Sequence, residues 1–215
     1  MSDTDALIAR LSDGATPVRR LRPPMVRAGA FLGLAGLLIG ALVVWHGPRG
    51  DLGERMLEAG FAVRLAGCAL TGVIAAVAAA MLAVPGRSRL WAWAPAPAVG
   101  LWLGSIGVGC LGYWVGIADD GLQADEVARC AGTLLLAGMP LSAAMLVLLR
   151  RAAPRAAGAR PALLVGGLAA AGMTALALTV MHPIDASLLV LAWNAGTAAM
   201  LLAAEWSLAR LVLVA

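Results

Sequence analysis

The chain alternates long apolar runs with short polar connections, and the length of the runs is informative. A helix needs about 20 mostly apolar residues to cross the hydrocarbon layer of a bilayer. Six stretches meet that requirement, at about 26–45, 61–84, 96–117, 127–149, 162–181 and 187–208. Their borders carry stop signals. The first lies between Arg27 and His46-Gly47-Pro48, and the second closes at Pro85-Gly86. The third opens around Pro95 and Pro97, the fourth ends at Arg150-Arg151, and the fifth ends at His182-Pro183. None alternates with the two-residue period of a half-buried strand, and in lipid a helix satisfies its own backbone. The pattern predicts an all-α, polytopic membrane protein. A polar cytoplasmic tail, residues 1–24, precedes a bundle of six transmembrane helices, residues 25–215. The polar start and the full-length first run predict a tail rather than a cleaved signal peptide.

Composition strengthens the membrane reading. Of the 215 residues, 61% are hydrophobic and 13% charged, against about 45–50% and 25% in a soluble domain. Too little polar surface is available to cover the apolar residues, so lipid must do so. The excess of basic residues would suggest nucleic acid in a soluble protein. Here the charges are dispersed between spans and instead report orientation, so no direct nucleic-acid contact is expected.

All sixteen basic residues are arginine, and they are divided unevenly. One side of the predicted bundle receives twelve: Arg10, Arg19, Arg20, Arg22 and Arg27, then Arg87 and Arg89, then Arg150, Arg151, Arg155 and Arg160, and finally Arg210. Its acids are Asp3, Asp5, Asp13 and Glu205. The other side has Arg49, Arg55, Arg64 and Arg129 against eight acids. The resulting charges are +8 and −4. Positive-inside bias then puts both termini in the cytoplasm. Trp45, Tyr113 and Trp114 at one set of ends, and Trp91, Trp93 and Trp206 at the other, form the expected interfacial belts.

Small-residue steps offer places for helices to approach. Gly29, Gly33, Gly36 and Gly40 form them in the first segment, Gly100 with Gly104 and Gly112 with Gly116 in the third. Pro140 removes one hydrogen bond from the fourth segment and predicts a kink there.

Little in the spans can do chemistry. Arg64, Glu205 and Arg210 lie near span ends, from which long side chains reach the surface. Hydrolase, zinc-protease and paired-carboxylate motifs are absent. The reading is therefore not an enzyme and needs no cofactor. A small transporter or channel-like protein is the alternative, although transporters usually carry intramembrane charge or repeated broken helices.

Two regions could carry regulation. In the tail, Ser2-Asp3-Thr4 can cap a short helix over Asp5–Leu11, with Gly14 and Pro17 ending it. Leu7, Ile8 and Leu11 then share one face. Such a face can dock in a partner groove, or it can lie on lipid with Arg19, Arg20 and Arg22 on anionic headgroups. On the other side, Cys130 opens the fourth segment, while His182 and Asp185 bound the last loop at the same depth. Thiol, imidazole and carboxylate suit a soft or borderline divalent metal, though a core position for Cys130 and a loop position for His182 are the plainer reading of these residues alone.

Several of these residues recur together. They are Leu7-Ile8 with Leu11 and Thr16-Pro17-Val18-Arg19-Arg20-Leu21; Arg49-Gly50-Asp51-Leu52; Pro85-Gly86-Arg87; and Cys130 with Met139-Pro140-Leu141-Ser142. Leu149-Arg150-Arg151-Ala152-Ala153-Pro154 and His182 followed by Trp193 complete the series. In order and placement the chain resembles the NrsF-type anti-sigma factors, six-span proteins of proteobacteria. The resemblance implies that it holds an extracytoplasmic-function sigma factor of the SigF type at the inner membrane and frees it on metal or oxidative stress. The partner-binding residues would be Leu7, Ile8, Arg10, Leu11, Val18, Arg19, Arg20, Leu21 and Arg22. The sensing residues would be Cys130, His182 and Asp185. Family members usually carry a second cysteine directly after the histidine that ends span five. Here that position is Pro183, so a disulfide between the two family positions cannot form.

Overall fold

The structure is a computed structural model that describes residues 3–13, 22–115, 124–152, 159–181 and 196. Every regular element among the described residues is helical. In chain order they are α1 (Asp3–Asp13), α2 (Pro24–His46), a single turn α3 (Leu52–Arg55) and α4 (Ala59–Leu82). A short 3-10 helix (Arg89–Trp93), α5 (Ala96–Val115), α6 (Ala124–Ala152) and α7 (Ala159–Met181) follow.

Five of the six predicted spans therefore appear as helices, with borders moved by up to three residues at either end. Within α2, α4, α6 and α7, four stretches are long and apolar enough to cross a membrane: Pro24–His46, Ala59–Leu82, Gly132–Arg151 and Pro161–Met181. The sixth predicted span, 187–208, lies outside the described residues apart from Gly196.

Local chemistry explains the borders. Pro24 sits in the first turn of α2, where a missing N–H costs nothing. Gly47 ends the helix in a left-handed conformation, φ 81°, and its N–H donates to the Val43 carbonyl at 2.9 Å. Gly86, at φ 80°, turns the chain after α4. Pro140 lies inside α6, which continues through it.

The closest helix pair is α4 with α7. α5 lies against α4, α6 against α7, and α2 crosses α4 and α6. Accordingly 56% of the apolar window of α4 and of α7 is buried, against 22% for α2. The main core joins Phe31 and Ala35 of α2, Ala75, Ala76, Ala78 and Ala79 of α4, Leu141, Met145 and Leu149 of α6, and Ala169, Ala170 and Met173 of α7. Alanine suits this position twice over, being a strong helix former and leaving room for a neighbouring backbone.

Glycine sets the closest approaches, but not the glycines of the first segment. A methyl group on Gly172 would stand 2.7 Å from the Gly72 nitrogen and 2.9 Å from the Cys68 carbonyl oxygen. One on Gly67 would stand 2.9 Å from the Trp102 Cα. These contacts are backbone to backbone, across α4–α7 and α4–α5. By contrast, Gly29, Gly33, Gly36 and Gly40, and likewise Gly100 and Gly104, face open space among the described residues. The anticipated packing stripe of α2 thus meets no described helix. The reason is angular: Arg27, Ala28, Phe31, Ala35 and Leu42 occupy the buried face, and the glycines lie on the other.

Candidate functional site

The tail helix α1 is two residues longer at each end than the predicted Asp5–Leu11. It packs on nothing described. Leu7, Ile8 and Leu11 are 57%, 59% and 68% exposed, and Arg10 is exposed beside them. Spacing i, i+1 and i+4 puts the three apolar side chains on one face. A helix of eleven residues is marginal alone, so an unpartnered apolar face is costly unless lipid or protein covers it. Arg22 is exposed just before Pro23-Pro24, which opens α2. Val18, Arg19, Arg20 and Leu21 lie outside the described residues.

The predicted sensing residues are only partly within view. Cys130 belongs to α6, with its side chain outside the description, and His182 and Asp185 follow the end of α7 outside the described residues. What can be located is their approach. Leu134 of α6 packs on Leu178 of α7, and Ala137 packs with Ala177, Met181 and Leu42. The Leu134–Leu178 pair stands four residues from Cys130 along one helix and four from His182 along the other chain direction. Of the other cysteines, Cys68 is fully buried against Trp102 and Ala175, with its thiol donating to the Leu65 carbonyl at 3.2 Å. Among the described residues no three His, Cys, Asp or Glu side chains are grouped to hold a metal.

Two arginines to which sequence patterning assigned no packing role are built into the fold. Arg49, in the turn after α2, is 5% exposed. Its Nε and Nη2 donate to the two carboxylate oxygens of Asp51 at 2.6 and 2.8 Å. Its guanidinium lies 5.4 Å from the centre of the Phe61 ring. Its backbone N–H donates to Val180 at 3.0 Å, satisfying one of the carbonyls that the end of α7 leaves without a helical partner. Arg55 adds a bond to Asp51 at 3.2 Å and one to Glu58 at 3.1 Å. The bonds from Arg49 hold the Asp51 carboxyl far below its usual range. This latch joins the α2–α4 connection to the tip of α7, immediately before His182. The Arg-Gly-Asp spacing beside Gly47-Pro48 was the sequence signal for it, a turn in which an arginine can fold back on an acid.

Arg27 is the counterpart at the opposite end of α2. It is 8% exposed, and its Nη2 donates to the Ala80 carbonyl at 3.0 Å. Val84 donates to Met81 instead of Ala80, so the arginine fills a vacancy in the last turn of α4.

A family model described as NrsF, negative regulator of sigma F, covers residues 11–214. No curated protein and no solved structure matches the chain.

Proposed function

The chain belongs to the NrsF family of negative regulators of sigma F, and from that premise we propose how it performs the regulation. Membership implies a sigma factor as partner and a regulatory rather than a catalytic role. In our reading the protein is an anti-sigma factor of the bacterial inner membrane, with six spans and both termini in the cytoplasm. Its partner is a sigma factor of the extracytoplasmic-function class. The tail, residues 1–24, does the holding and the bundle, residues 25–215, is the anchor and receiver.

One observation carries the assignment of the tail: α1 presents Leu7, Ile8 and Leu11 with no described residue covering them. An amphipathic helix laid in an apolar groove is a recurrent way to occupy a surface that another protein needs. Bound so, α1 and the arginines from Arg10 to Arg22 would keep the sigma factor from core polymerase. Capture of the sigma factor by the detergent-solubilised protein tests this. Deletion of residues 1–22, or Leu7→Ser with Leu11→Ser, should abolish capture. Undiminished capture by a deletion variant that still inserts would refute the role of the tail.

Release is assigned to the other end of the bundle, through Cys130, His182 and Asp185. The Leu134–Leu178 contact supports this reading, because it packs α6 on α7 four residues along the chain from each of Cys130 and His182. With Pro183 in place of a second cysteine, thiolate, imidazole and carboxylate are the groups available to meet a metal or oxidant. Cys130→Ser should blunt release of the sigma factor by either stress. A stress response of normal size in that variant would exclude the thiol.

A further inference from the structure

We infer that Arg27 forms a binding site for the phosphate of a membrane phospholipid, in the cleft between the ends of α2, α4 and α6. Arg27 is in the first turn of α2 and more than nine-tenths buried. One guanidinium nitrogen, Nη2, is satisfied by Ala80. Nε and Nη1 have no acceptor among the described residues. A buried cation with unused donors is expensive, because neither water nor a counter-charge repays its desolvation. Ionisable groups persist at such depth where something pairs with them.

The surroundings indicate the kind of partner. A cleft beside Arg27 is lined by Phe31 of α2, Ala76 and Ala80 of α4, and Met145 and Leu149 of α6. It is partly open, its exposed wall is apolar, and its volume of about 10 Å³ admits the centre of one oxygen-sized group. The cleft lies where three elements leave the apolar layer together: α2 begins at Pro24, α4 ends at Leu82, and Leu149 precedes the exposed pair Arg150-Arg151. That is the level of lipid headgroups. The described carboxylates whose ion pairs fix their place, Asp51 and Glu58, belong to the connection at the opposite end of α2. A phosphate oxygen seated in the cleft, with the guanidinium turned toward it, supplies the missing acceptor. Arg150 and Arg151 screen the remaining charge, and an acyl chain follows the apolar wall past Phe31. Basic pockets between helix ends bind headgroups in this manner, and a charged N–H···O–P bond is among the stronger hydrogen bonds.

The test does not depend on which partner the tail binds. Full-length protein in detergent is delipidated. Its melting temperature and native mass spectrum are then followed as phosphatidylglycerol, phosphatidylcholine or inorganic phosphate is added. Wild type should retain one phospholipid and gain thermal stability from it, with no gain from inorganic phosphate at equal concentration. Arg27→Gln should weaken the lipid dependence about tenfold, the size of one charged hydrogen bond. Arg87→Gln, at an exposed arginine, should leave it unchanged.

Equal lipid retention by wild type and Arg27→Gln would overturn the site. Equal loss in Arg87→Gln would do the same by reducing the effect to general surface charge. If Glu205→Gln reproduced Arg27→Gln without any lipid dependence, an ion pair within the chain would replace the lipid. Stabilisation by inorganic phosphate alone would exclude the phospholipid as the ligand. Should Arg27→Gln fail to insert, the lipid additions to wild type decide the matter.

Discussion

Replacing Gly172 by alanine adds one methyl group where α4 and α7 touch backbone to backbone. The new carbon would stand 2.7 Å from the Gly72 nitrogen, 2.9 Å from the Cys68 oxygen and 3.0 Å from the Gly72 Cα. Comfortable separations for such atoms are about 3.5 Å, so the helices must part by roughly 0.5–0.8 Å. No side chain can rotate away, because the atoms met are main chain. The gap spreads along a contact that holds Cys68, Ala75, Ala79, Ala169 and Met173 in the core. Overpacking of this kind costs about 1–3 kcal/mol, while the exchange of glycine for alanine in a helix returns up to about 1 kcal/mol. A net loss of about 0–2 kcal/mol follows, and a deficit of about 1–3 kcal/mol relative to a glycine-to-alanine exchange that meets no clash. Gly36→Ala in α2 is the matched control, since nothing described lies within 4 Å of its new methyl. It receives the helix gain without the clash and should be neutral or slightly stabilised. Reversible unfolding of both variants in mixed micelles, read by tryptophan fluorescence, compares them directly. A Gly172→Ala protein as stable as Gly36→Ala would refute the close α4–α7 crossing.

Other consequences follow from the latch and the core. Arg49→Met removes both bonds to Asp51 and the contact with Phe61, and should cost about 1–3 kcal/mol in the same unfolding assay. Loss of a few tenths or less would mean that the latch is decorative. Because the folded pKa of Asp51 is depressed, its contribution is present above the ordinary carboxylate range and is lost as pH falls through the folded value. Unfolding of wild type should therefore become easier in acid by more than that of Asp51→Asn, and parallel pH profiles would contradict the pairing. Cys68, at 0% exposure, should resist a maleimide in a Cys110→Ser, Cys130→Ser background until the protein is unfolded. Rapid native labelling, measured by mass shift, would show that the α4–α5–α7 contact around Trp102 opens.

Local patterning located most of the helices, for a physical reason. Whether a segment can cross a bilayer depends on its length and polarity, both written in consecutive residues, and turns at Gly47 and Gly86 depend on single-residue stereochemistry. The amphipathic tail was legible on the same terms, because Leu7, Ile8 and Leu11 share a face of any helix that contains them. The order of the quoted motifs was legible as well, and the family match spans nearly the whole chain.

Helix pairing was not legible in this way. In a chain of Ala, Gly, Leu and Val many helix faces look alike, so spacing alone favoured the glycines of α2. Which faces meet is decided by the sum of many weak contacts, and that sum chose Gly72 and Gly172 for the crossing. The roles of Arg27 and Arg49 belong to the same class. Each counts as one positive charge in an orientation tally, yet each reaches a carbonyl far along the chain, at Ala80 and at Val180. An unpaired carbonyl at a helix end is a property of three-dimensional placement. By itself the sequence determined an all-helical, lipid-adapted regulator with a polar tail. Only the tertiary structure decided that α4 and α7 form its centre, that two arginines close opposite ends of the bundle, and that one of them retains donors unmatched by any described residue.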